Sequence, residues 1–291
     1  MSVITRLVPP IFVLLWSSAF ISAKYGLPDA DPITFLFVRF LLVVLAFGVI
    51  AVVRRSKWPT DPRQIAHIAV FGALVQGAYL SGVFLAISKG LPAGIASLIV
   101  GLQPILTALL ASQLLSERVR PRQWLGLALG VSGVVLVLWE RANLNEIQPV
   151  GVVLCLGSLL CISYGTIHQK RYCGNMDLVS GGLIQAVTAC IVTGVAAFIL
   201  EPMRVHWSLE FSLALAWLVV GVSLGAFSLL ITMIKRGEAV KVISLFYMVP
   251  PVTAVMAWMA FGEELGLIAY AGIVVTTIGV ALVVRQQKPG T

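Results

Sequence analysis

Hydroxyl, amide and aromatic side chains recur at helical spacing inside the apolar stretches of this chain. In one stretch Ser97 shares a helical face with Gly101 and Pro104, by i, i+4, i+7 spacing. Aromatic walls with a few polar anchors suit a small zwitterion with an apolar side chain, so such faces predict a binding cavity. The alternative is that each ring only packs in the core. The residues predicted to line the cavity are Trp16, Ser17, Gln76, Tyr79, Ser97, Ser163, Tyr164, Ser223, Phe227, Ser244 and Tyr247.

Arg39 is the only charged residue well within an apolar stretch. If that stretch crosses a membrane, the charge costs about 2.5–3.5 kcal/mol on insertion scales, so it is rarely without a role. One role is the attraction of a substrate carboxylate. The other is structural, in which the guanidinium bonds carbonyls at a helix end or snorkels to the surface. The sequence alone favours the structural role.

Three prolines, Pro104, Pro250 and Pro251, lie in the middle of apolar stretches. A proline inside a helix leaves the carbonyl four residues earlier without its usual partner. These carbonyls, of Val100, Phe246 and Tyr247, either face the cavity as acceptors or are satisfied by neighbouring helices. Because the kinks recur in both halves of the chain, they could also act as symmetric hinges.

The sequence contains no pattern that predicts catalysis or metal binding. The histidines, His67, His168 and His206, form no HExxH motif and are not spaced with carboxylates as metal ligands. The cysteines form no CxxC pair and are expected to be small core residues. We therefore predict no catalytic residue, no metal site and no cofactor, and we expect that the protein is not an enzyme.

The composition excludes a soluble protein. Of the 291 residues, 59% are hydrophobic and only 11% are charged, whereas soluble domains carry about 25% charged residues. A membrane-spanning helix needs about 20 mostly apolar residues. Ten stretches lack Asp, Glu, Lys and Arg: 7–23, 40–53 (extended back to about Ile33), 64–88, 90–116, 123–139, 147–169, 178–200, 211–234, 242–262 and 265–284. The sequence predicts an all-α membrane protein of ten transmembrane helices, without a soluble domain.

The distribution of basic residues predicts the orientation. With the N-terminus inside, the cytoplasmic loops carry 15 Lys and Arg, the outer loops carry 4, and one lies within a helix. Basic residues concentrate on the cytoplasmic side of membrane proteins. Both termini are therefore predicted to be cytoplasmic, and the net charge of +8 requires no nucleic-acid partner.

The two halves of the chain resemble each other at an offset of 147 residues. Ser97 then meets Ser244, Pro104 meets Pro251, and Lys24 meets Arg171. Each half holds five predicted helices, an odd number, so the second half must enter the membrane upside down. We predict two inverted repeats, residues 1–146 and 147–291, in one transport unit with a binding site near the midplane.

Several segments resemble the drug/metabolite transporter superfamily, EamA type. The run ASLIVGLQPILTALLASQLLSERVRPRQWLGLALGVSGVVLVL is similar to its helix 4–5 signature, and ISLFYMVPPVTAVMAWMAFGEELGLIAYAGIVVTTIGVALVV is similar to the helix 9–10 copy. LLWSSAF and the VRFLL around Arg39 are similar to features of helices 1 and 2. The resemblance covers essentially the whole chain, and within the family it is greatest to YddG-type exporters of aromatic and other amino acids.

The resemblance implies a ten-helix exporter of small metabolites, amino acids including aromatic ones, in the bacterial inner membrane. Its partners would be the small-molecule substrate and the lipid bilayer; a monomer is expected, and a dimer is compatible with the sequence. One alternative is a nucleotide-sugar or sugar-phosphate carrier, which would need several cations in its cavity. Others are an intramembrane enzyme, which would need an embedded Ser/His or paired-Asp site, and a structural membrane protein. No carboxylate lies in a predicted helix interior, which argues against tight proton coupling.

Overall fold

The structure is a computed structural model that describes residues 3–114, 121–143, 148–174, 176–226, 228–229, 233, 245–263 and 266–284. These residues form ten helical segments and no extended strand. The helices are α1 (Val3–Gly26), α2 (Pro32–Arg54), α3 (Pro62–Ser88), α4 (Ala93–Val100 and Gln103–Leu114), α5 (Pro121–Asn143), α6 (Pro149–Tyr172), α7 (Leu178–Leu200), α8 (Leu209–Ala216, continuing over Trp217–Ala226), α9 (Val249–Phe261) and α10 (Leu267–Val284). The prediction of an all-helical membrane protein with ten helices is confirmed.

Most of these helices are long and apolar enough to cross a bilayer. Seven satisfy this in length and composition over the described residues, and apolar helices of 10–17 residues in α5, α9 and α10 accompany them. The most apolar is α2, with a mean hydropathy of 2.9. Large apolar side chains cover the outside of the bundle, for example Phe198 and Met259, which are 80% and 74% exposed. Such a surface is stable in lipid and not in water.

Carboxylates at the helix ends satisfy backbone N–H groups that the helices leave free. Asp177 accepts from the N–H groups of Val179 and Ser180 at the start of α7. Glu201 caps α2 from a distant part of the chain, because its carboxylate accepts from the N–H of Ile33 at 2.9 Å. A negative charge at a helix N-terminus is favourable, so these residues define where the helices begin.

The helix contacts follow a pairwise pattern. α2 packs along α7, and α5 packs along α10. α1 packs against α8 and α9, whereas α6 packs against α3 and α4. The contacts of the two halves correspond: if each helix is replaced by the helix five places along the chain, the contacts of α1 with α8 and α9 become those of α6 with α3 and α4.

Glycines permit the closest of these crossings, between α5 and α10. A Cβ at Gly133 would lie 2.4 Å from the carbonyl oxygen of Gly272, and a Cβ at Gly279 would lie 2.5 Å from the backbone nitrogen of Gly130. Small residues let membrane helices approach until their backbones touch. Gly133 and Gly279 stand 146 residues apart, so with a shift of one residue from the repeat offset they correspond, and both halves contribute a glycine to the crossing.

Candidate functional site

Two π-helical segments stand in the middle of α3 and α8. They cover Gly72–Ala78 and Trp217–Ala226, and at the offset of 147 residues the first range falls on residues 219–225, within the second. π-helical turns are rare and occur frequently at functional sites, because they shift side chains out of the regular register. Each segment holds one residue predicted from the sequence, Gln76 in α3 and Ser223 in α8.

The side chain of Arg39 reaches the second of these segments. Arg39 is only 5% exposed, and its Nη2 donates a hydrogen bond to Oγ of Ser223 at 3.1 Å. Its Nε is buried without a hydrogen-bond partner among the described residues. The guanidinium therefore neither snorkels to the surface nor bonds a described helix-end carbonyl, and it keeps one N–H group for a further acceptor.

Tyr79 is buried inside the bundle, within electrostatic reach of Arg39. Its ring is 6% exposed, and it interacts electrostatically with the guanidinium of Arg39 from the adjacent helix α3. Ser223 accepts from Arg39 and donates its own proton to the carbonyl of Leu218 at 3.0 Å, five residues earlier in the π-helical segment. Arg39 and Ser223 thus form a direct hydrogen bond between α2 and α8, and Tyr79 of α3 is within electrostatic reach of Arg39.

Gln76 forms a second polar pair, with a residue that sequence reasoning missed. Its Nε2 donates to Oε1 of Gln185 in α7 at 2.9 Å, and Gln185 is 2% exposed. Nε2 of Gln185 in turn lies 3.7 Å from Sδ of Met176. A lone glutamine within the 23-residue apolar stretch of α7 is the sequence signal that could have identified it.

The proline positions coincide with interruptions of α4 and α9. α4 is broken at Gly101–Leu102, just before Pro104, and a 3₁₀ turn over Phe246–Met248 directly precedes α9, whose first residues include Pro250 and Pro251. A Cβ at Gly101 would lie 2.7 Å from Cγ of Pro250, so the two interruptions touch. They form one contact between equivalent halves of the chain.

Trp16 and Ser17 join α1 to this same region. The Trp16 ring lies 5.0 Å from the ring of Phe246 and 5.5 Å from that of Phe12, centroid to centroid. Oγ of Ser17 is fully buried and donates to the carbonyl of Val249 at 3.4 Å. The indole packs at the beginning of α9, where the predicted kink lies.

The predicted hydroxyls of α4 and α6 are buried. Ser97 donates to the carbonyl of Gly94 in its own helix at 2.7 Å, whereas Oγ of Ser163 has no described partner. Near the α4 break, Gln103 donates from Nε2 to Oγ1 of Thr166 at 2.9 Å, a contact between α4 and α6 that the sequence analysis did not predict. The amide directly before the kink proline was its only signal.

The structure does not bring Tyr164 into the interior. Its side chain is 48% exposed and lies on one stripe of α6 with Leu156 and Leu160, which are 43% and 55% exposed. Ser163 and Tyr164 are consecutive, so their side chains diverge by about 100° on a helix and cannot both face inward. Phe227 and Ser244 lie outside the described residues, as does the side chain of Tyr247, whose backbone belongs to the 3₁₀ turn.

One end of the bundle is held by an ion pair between α1 and the segment after α9. Nζ of Lys24 contacts Oε1 of Glu263, and the same oxygen accepts from the N–H of Ala93 at the start of α4 at 3.4 Å. Lys24 also lies 4.4 Å from the centroid of the Phe261 ring. The contacts join the ends of three helices whose middles carry the predicted site residues.

Asp29 and Asp31 contact the segment between α7 and α8 at the same end of the helices as Ile33 and Glu201. Oδ2 of Asp31 accepts from the backbone N–H of Arg204 at 2.8 Å, and Oδ2 of Asp29 accepts from Oγ of Ser208 at 2.6 Å. Within the described ranges, no three His, Cys, Asp or Glu side chains converge in a way that would hold a metal ion. Asp29 and Asp31 thus join loops, whereas Asp177 and Glu201 cap helices.

Comparison with known proteins gives a match over almost the whole chain. The sequence profile described as the EamA-like transporter family matches residues 10–139 and, separately, residues 149–285. A solved crystal structure superposes with a TM-score of 0.64 at 21% identity, covering 97% of this chain and 98% of that chain. This likeness concerns the fold alone.

Curated relatives are distant but extend over nearly their full lengths. The uncharacterized transporter YvbV of Bacillus subtilis (strain 168) is 26% identical over 98% of this chain and 92% of its own. The probable amino-acid metabolite efflux pump of Escherichia coli (strain K12) is 28% identical over 92% of this chain and 90% of its own. The uncharacterized inner membrane transporter YedA of the same strain is 26% identical over 93% of this chain and 87% of its own.

Proposed function

Since the chain belongs to the EamA-like transporter family, within the drug/metabolite transporter superfamily, we propose that it exports amino acids, including aromatic ones, and related small metabolites. It is a multi-pass membrane transporter. Among its relatives, one carries the name of a probable amino-acid metabolite efflux pump, which supports this substrate class. The reaction is movement of a molecule across the inner membrane, and no bond is made or broken.

The observation that carries the proposal is the environment of Arg39. A buried guanidinium with a free Nε–H in the bundle interior is stable only if an anion or strong acceptor completes its hydrogen bonds. The carboxylate of an amino acid is such an acceptor, and bonds between charged partners are about twice as strong as neutral ones. Arg39 therefore serves as the carboxylate anchor, with Ser223 orienting it and Tyr79 within electrostatic reach.

A single buried cation also favours small monoanionic carboxylates over phosphorylated sugars. A phosphate with two charges requires several cationic or N–H donors to offset its desolvation. Arg39 is the only Lys or Arg that the described structure places in the buried interior. The rings of Trp16 and Phe246 provide apolar surface for the side chain of the substrate.

We infer that transport proceeds by alternating access between two inverted five-helix repeats, residues 1–146 and 147–291. The exchange pattern of helix contacts and the equivalent π-helical segments support this division. Two equivalent halves around one site can adopt two related arrangements, each open to one side. With the basic residues inside, both termini are cytoplasmic, and the Lys24–Glu263 contact closes the outer end. The transporting unit is a monomer.

The experiment that tests this function is flux through the purified protein in proteoliposomes. Uptake of pooled labelled amino acids is compared with uptake of labelled sugar phosphates, in vesicles with and without the protein. We expect flux of amino acids, aromatic ones included, that saturates with concentration. Flux confined to sugar phosphates would replace the proposed substrate class with the carrier alternative.

A further inference from the structure

The Gln76–Gln185 pair has no role in the function proposed so far. Both amides lie in the middle of apolar helices, and Gln185 is 2% exposed. Burial of an amide costs free energy unless its hydrogen-bonding groups are satisfied. Here one N–H of each amide is engaged: Gln76 donates to Gln185, and Gln185 donates towards Sδ of Met176.

This pair is the repeat-related counterpart of Arg39 and Ser223, and each pair joins one half of the chain to the other. α2 and α7 both contain 23 residues, and Arg39 and Gln185 are each the eighth residue of their helix. Gln76 and Ser223 stand 147 residues apart, in the equivalent π-helical segments of α3 and α8. Each pair thus joins α2 or α7 to a π-helical segment by a hydrogen bond. In one pair the residue of the packed helix is the cation Arg39, and in the other it is the neutral amide Gln185.

The hydrogen bond to Gln185 determines which end of the Gln76 amide remains available. Because Nε2 of Gln76 donates to Gln185, its carbonyl oxygen, Oε1, points to other groups, and no described donor reaches it. Val70 and Ala78 are on the exposed stripe of α3, and Gln76 is on the other side of the helix, half-buried in the bundle. A partly accessible carbonyl in an apolar interior is an acceptor for a cationic donor.

We propose that Oε1 of Gln76 binds the ammonium group of the substrate and that Gln185 is the positioning residue that holds this oxygen in place. The proposal rests on the proposed transport of amino acids, and it adds a second subsite to the carboxylate anchor at Arg39. Tyr79, which is within electrostatic reach of Arg39, is three residues from Gln76 at the end of the same π-helical segment, less than one turn away. The ammonium and carboxylate groups of an α-amino acid are attached to one carbon, so one molecule can span both subsites.

The test measures selectivity rather than rate. Flux of labelled L-phenylalanine is measured in proteoliposomes that contain the purified full chain. Inhibition by 3-phenylpropanoate, which lacks the amino group, is compared with inhibition by unlabelled phenylalanine. The ratio of the two half-inhibitory concentrations does not depend on how much protein is folded. For the wild-type chain we expect 3-phenylpropanoate to be weaker by about tenfold or more, as a bond to a charged group is lost.

The variants separate positioning from packing. Gln185→Met keeps the length of the side chain but removes the acceptor for Gln76, and we expect the ratio to fall towards one. Gln185→Glu keeps an acceptor oxygen for Gln76 and adds a negative charge near the ammonium group, so the ratio should stay at or above the wild-type value. Thr193→Val is the matched control, because this fully buried hydroxyl of α7 bonds only to backbone carbonyls of its own helix, at 2.7 Å and 3.4 Å, and its loss should leave the ratio unchanged.

The remaining outcomes distinguish failure of the ammonium subsite from failure of the proposed transport function. Because Gln185 acts through Gln76, the Gln76→Leu and Gln76→Leu/Gln185→Met proteins should show the same reduced ratio. A wild-type ratio in Gln185→Met or in Gln76→Leu overturns the subsite while leaving amino-acid transport intact. If Gln185→Met does not fold, Gln76→Leu alone decides the matter. Absence of phenylalanine flux in the wild-type protein, with saturable flux of sugar phosphates, would instead refute the proposed function.

Discussion

The ring of Pro250 lies directly against Gly101, so that a Cβ at Gly101 would stand 2.7 Å from Cγ of Pro250. The contact joins the break in α4 to the beginning of α9. A glycine permits it because any side chain would occupy the space of the proline ring. The two interruptions, at equivalent places of the halves, therefore support each other and cannot move independently.

Gly101→Ala should destabilise the protein by about 1–3 kcal/mol, the usual cost of forcing an extra methyl group into a filled core. The same atom would also approach the carbonyl oxygens of Leu98 and Ser97, each at 3.1 Å. The measurement is the thermal unfolding temperature of the purified protein in detergent. Gly157→Ala in α6 is the control, because a Cβ there meets nothing within 4 Å. Equal unfolding temperatures for the two variants would show that the α4–α9 contact is loose.

Lys24→Gln should weaken closure at the end where α1, α4 and α9 meet. The side chains of Lys24 and Glu263 are 33% and 11% exposed, so loss of the ion pair should shift the conformational equilibrium about two- to fivefold, as for a partly screened pair. Ser97→Cys provides the reporter, because Ser97 is 2% exposed and stands one turn into α4. Its labelling by an impermeant thiol reagent should accelerate in the Lys24→Gln background.

Two comparisons test whether the effect belongs to the ion pair. The double charge reversal Lys24→Glu/Glu263→Lys should restore slow labelling of Ser97→Cys. Lys57→Gln, which removes a basic residue from the exposed segment between α2 and α3, should leave it slow. Unchanged labelling in the Lys24→Gln protein would mean that other contacts keep this end closed.

The segments near Arg120 and Leu267 should be accessible from opposite sides of the membrane. The excess of basic residues predicts that the first is cytoplasmic and the second is outside. A cysteine replacing Leu267 should react with an impermeant reagent in intact cells, and a cysteine replacing Arg120 only after permeabilisation. Cys155 is buried, Cys161 and Cys190 lie within the apolar helices α6 and α7, and burial raises the pKa of the Cys173 thiol, which lowers its thiolate fraction. The reverse pattern would contradict the inverted arrangement of the repeats.

The ten helices were predictable because each depends on one property, a run of apolar residues about as long as a bilayer is thick. The π-helical segments at Gly72–Ala78 and Trp217–Ala226 were not predictable from the sequence. Hydropathy determines which residues enter the membrane, but it does not determine to which carbonyl each backbone N–H donates. These segments alter the register of Gln76 and Ser223, two of the predicted binding residues.

The site was predicted only in part, for a related reason. A helical face can be inferred from spacing, but its direction depends on packing. Tyr164 lies on the exposed stripe of α6 while its neighbour Ser163 is buried. Gln185 was missed because its importance comes from a partner 109 residues away, Gln76, and no local pattern links them. For Arg39 the sequence favoured a purely structural role, whereas its buried, incompletely bonded guanidinium supports a binding role.

Downhill transport should not require a proton gradient. The described carboxylates, such as Asp61, Asp177 and Glu201, lie at helix ends, where they cap backbone N–H groups. Proton-driven transporters commonly keep a titrating group within the membrane. Flux of phenylalanine from loaded vesicles should therefore be the same with and without a protonophore. Accumulation that depends on an imposed pH difference would contradict this and would point to a histidine, such as the His67–His168 pair with ring centroids 5.2 Å apart.

Arg39→Gln should reduce recognition of the substrate carboxylate and leave recognition of amines intact. Loss of a hydrogen bond to a charged group should raise the half-inhibitory concentration of phenylalanine about tenfold or more. Phenethylamine, which lacks the carboxylate, should inhibit flux of a labelled amino acid equally in both proteins. Arg39→Lys should recover only part of the loss, because an ammonium group lacks the planar arrangement of donors by which Arg39 reaches Ser223 and still presents Nε. An Arg39 that served packing alone would lower the yield of folded protein in both variants without changing the ratio between phenylalanine and phenethylamine, and that result would remove the carboxylate anchor from the mechanism.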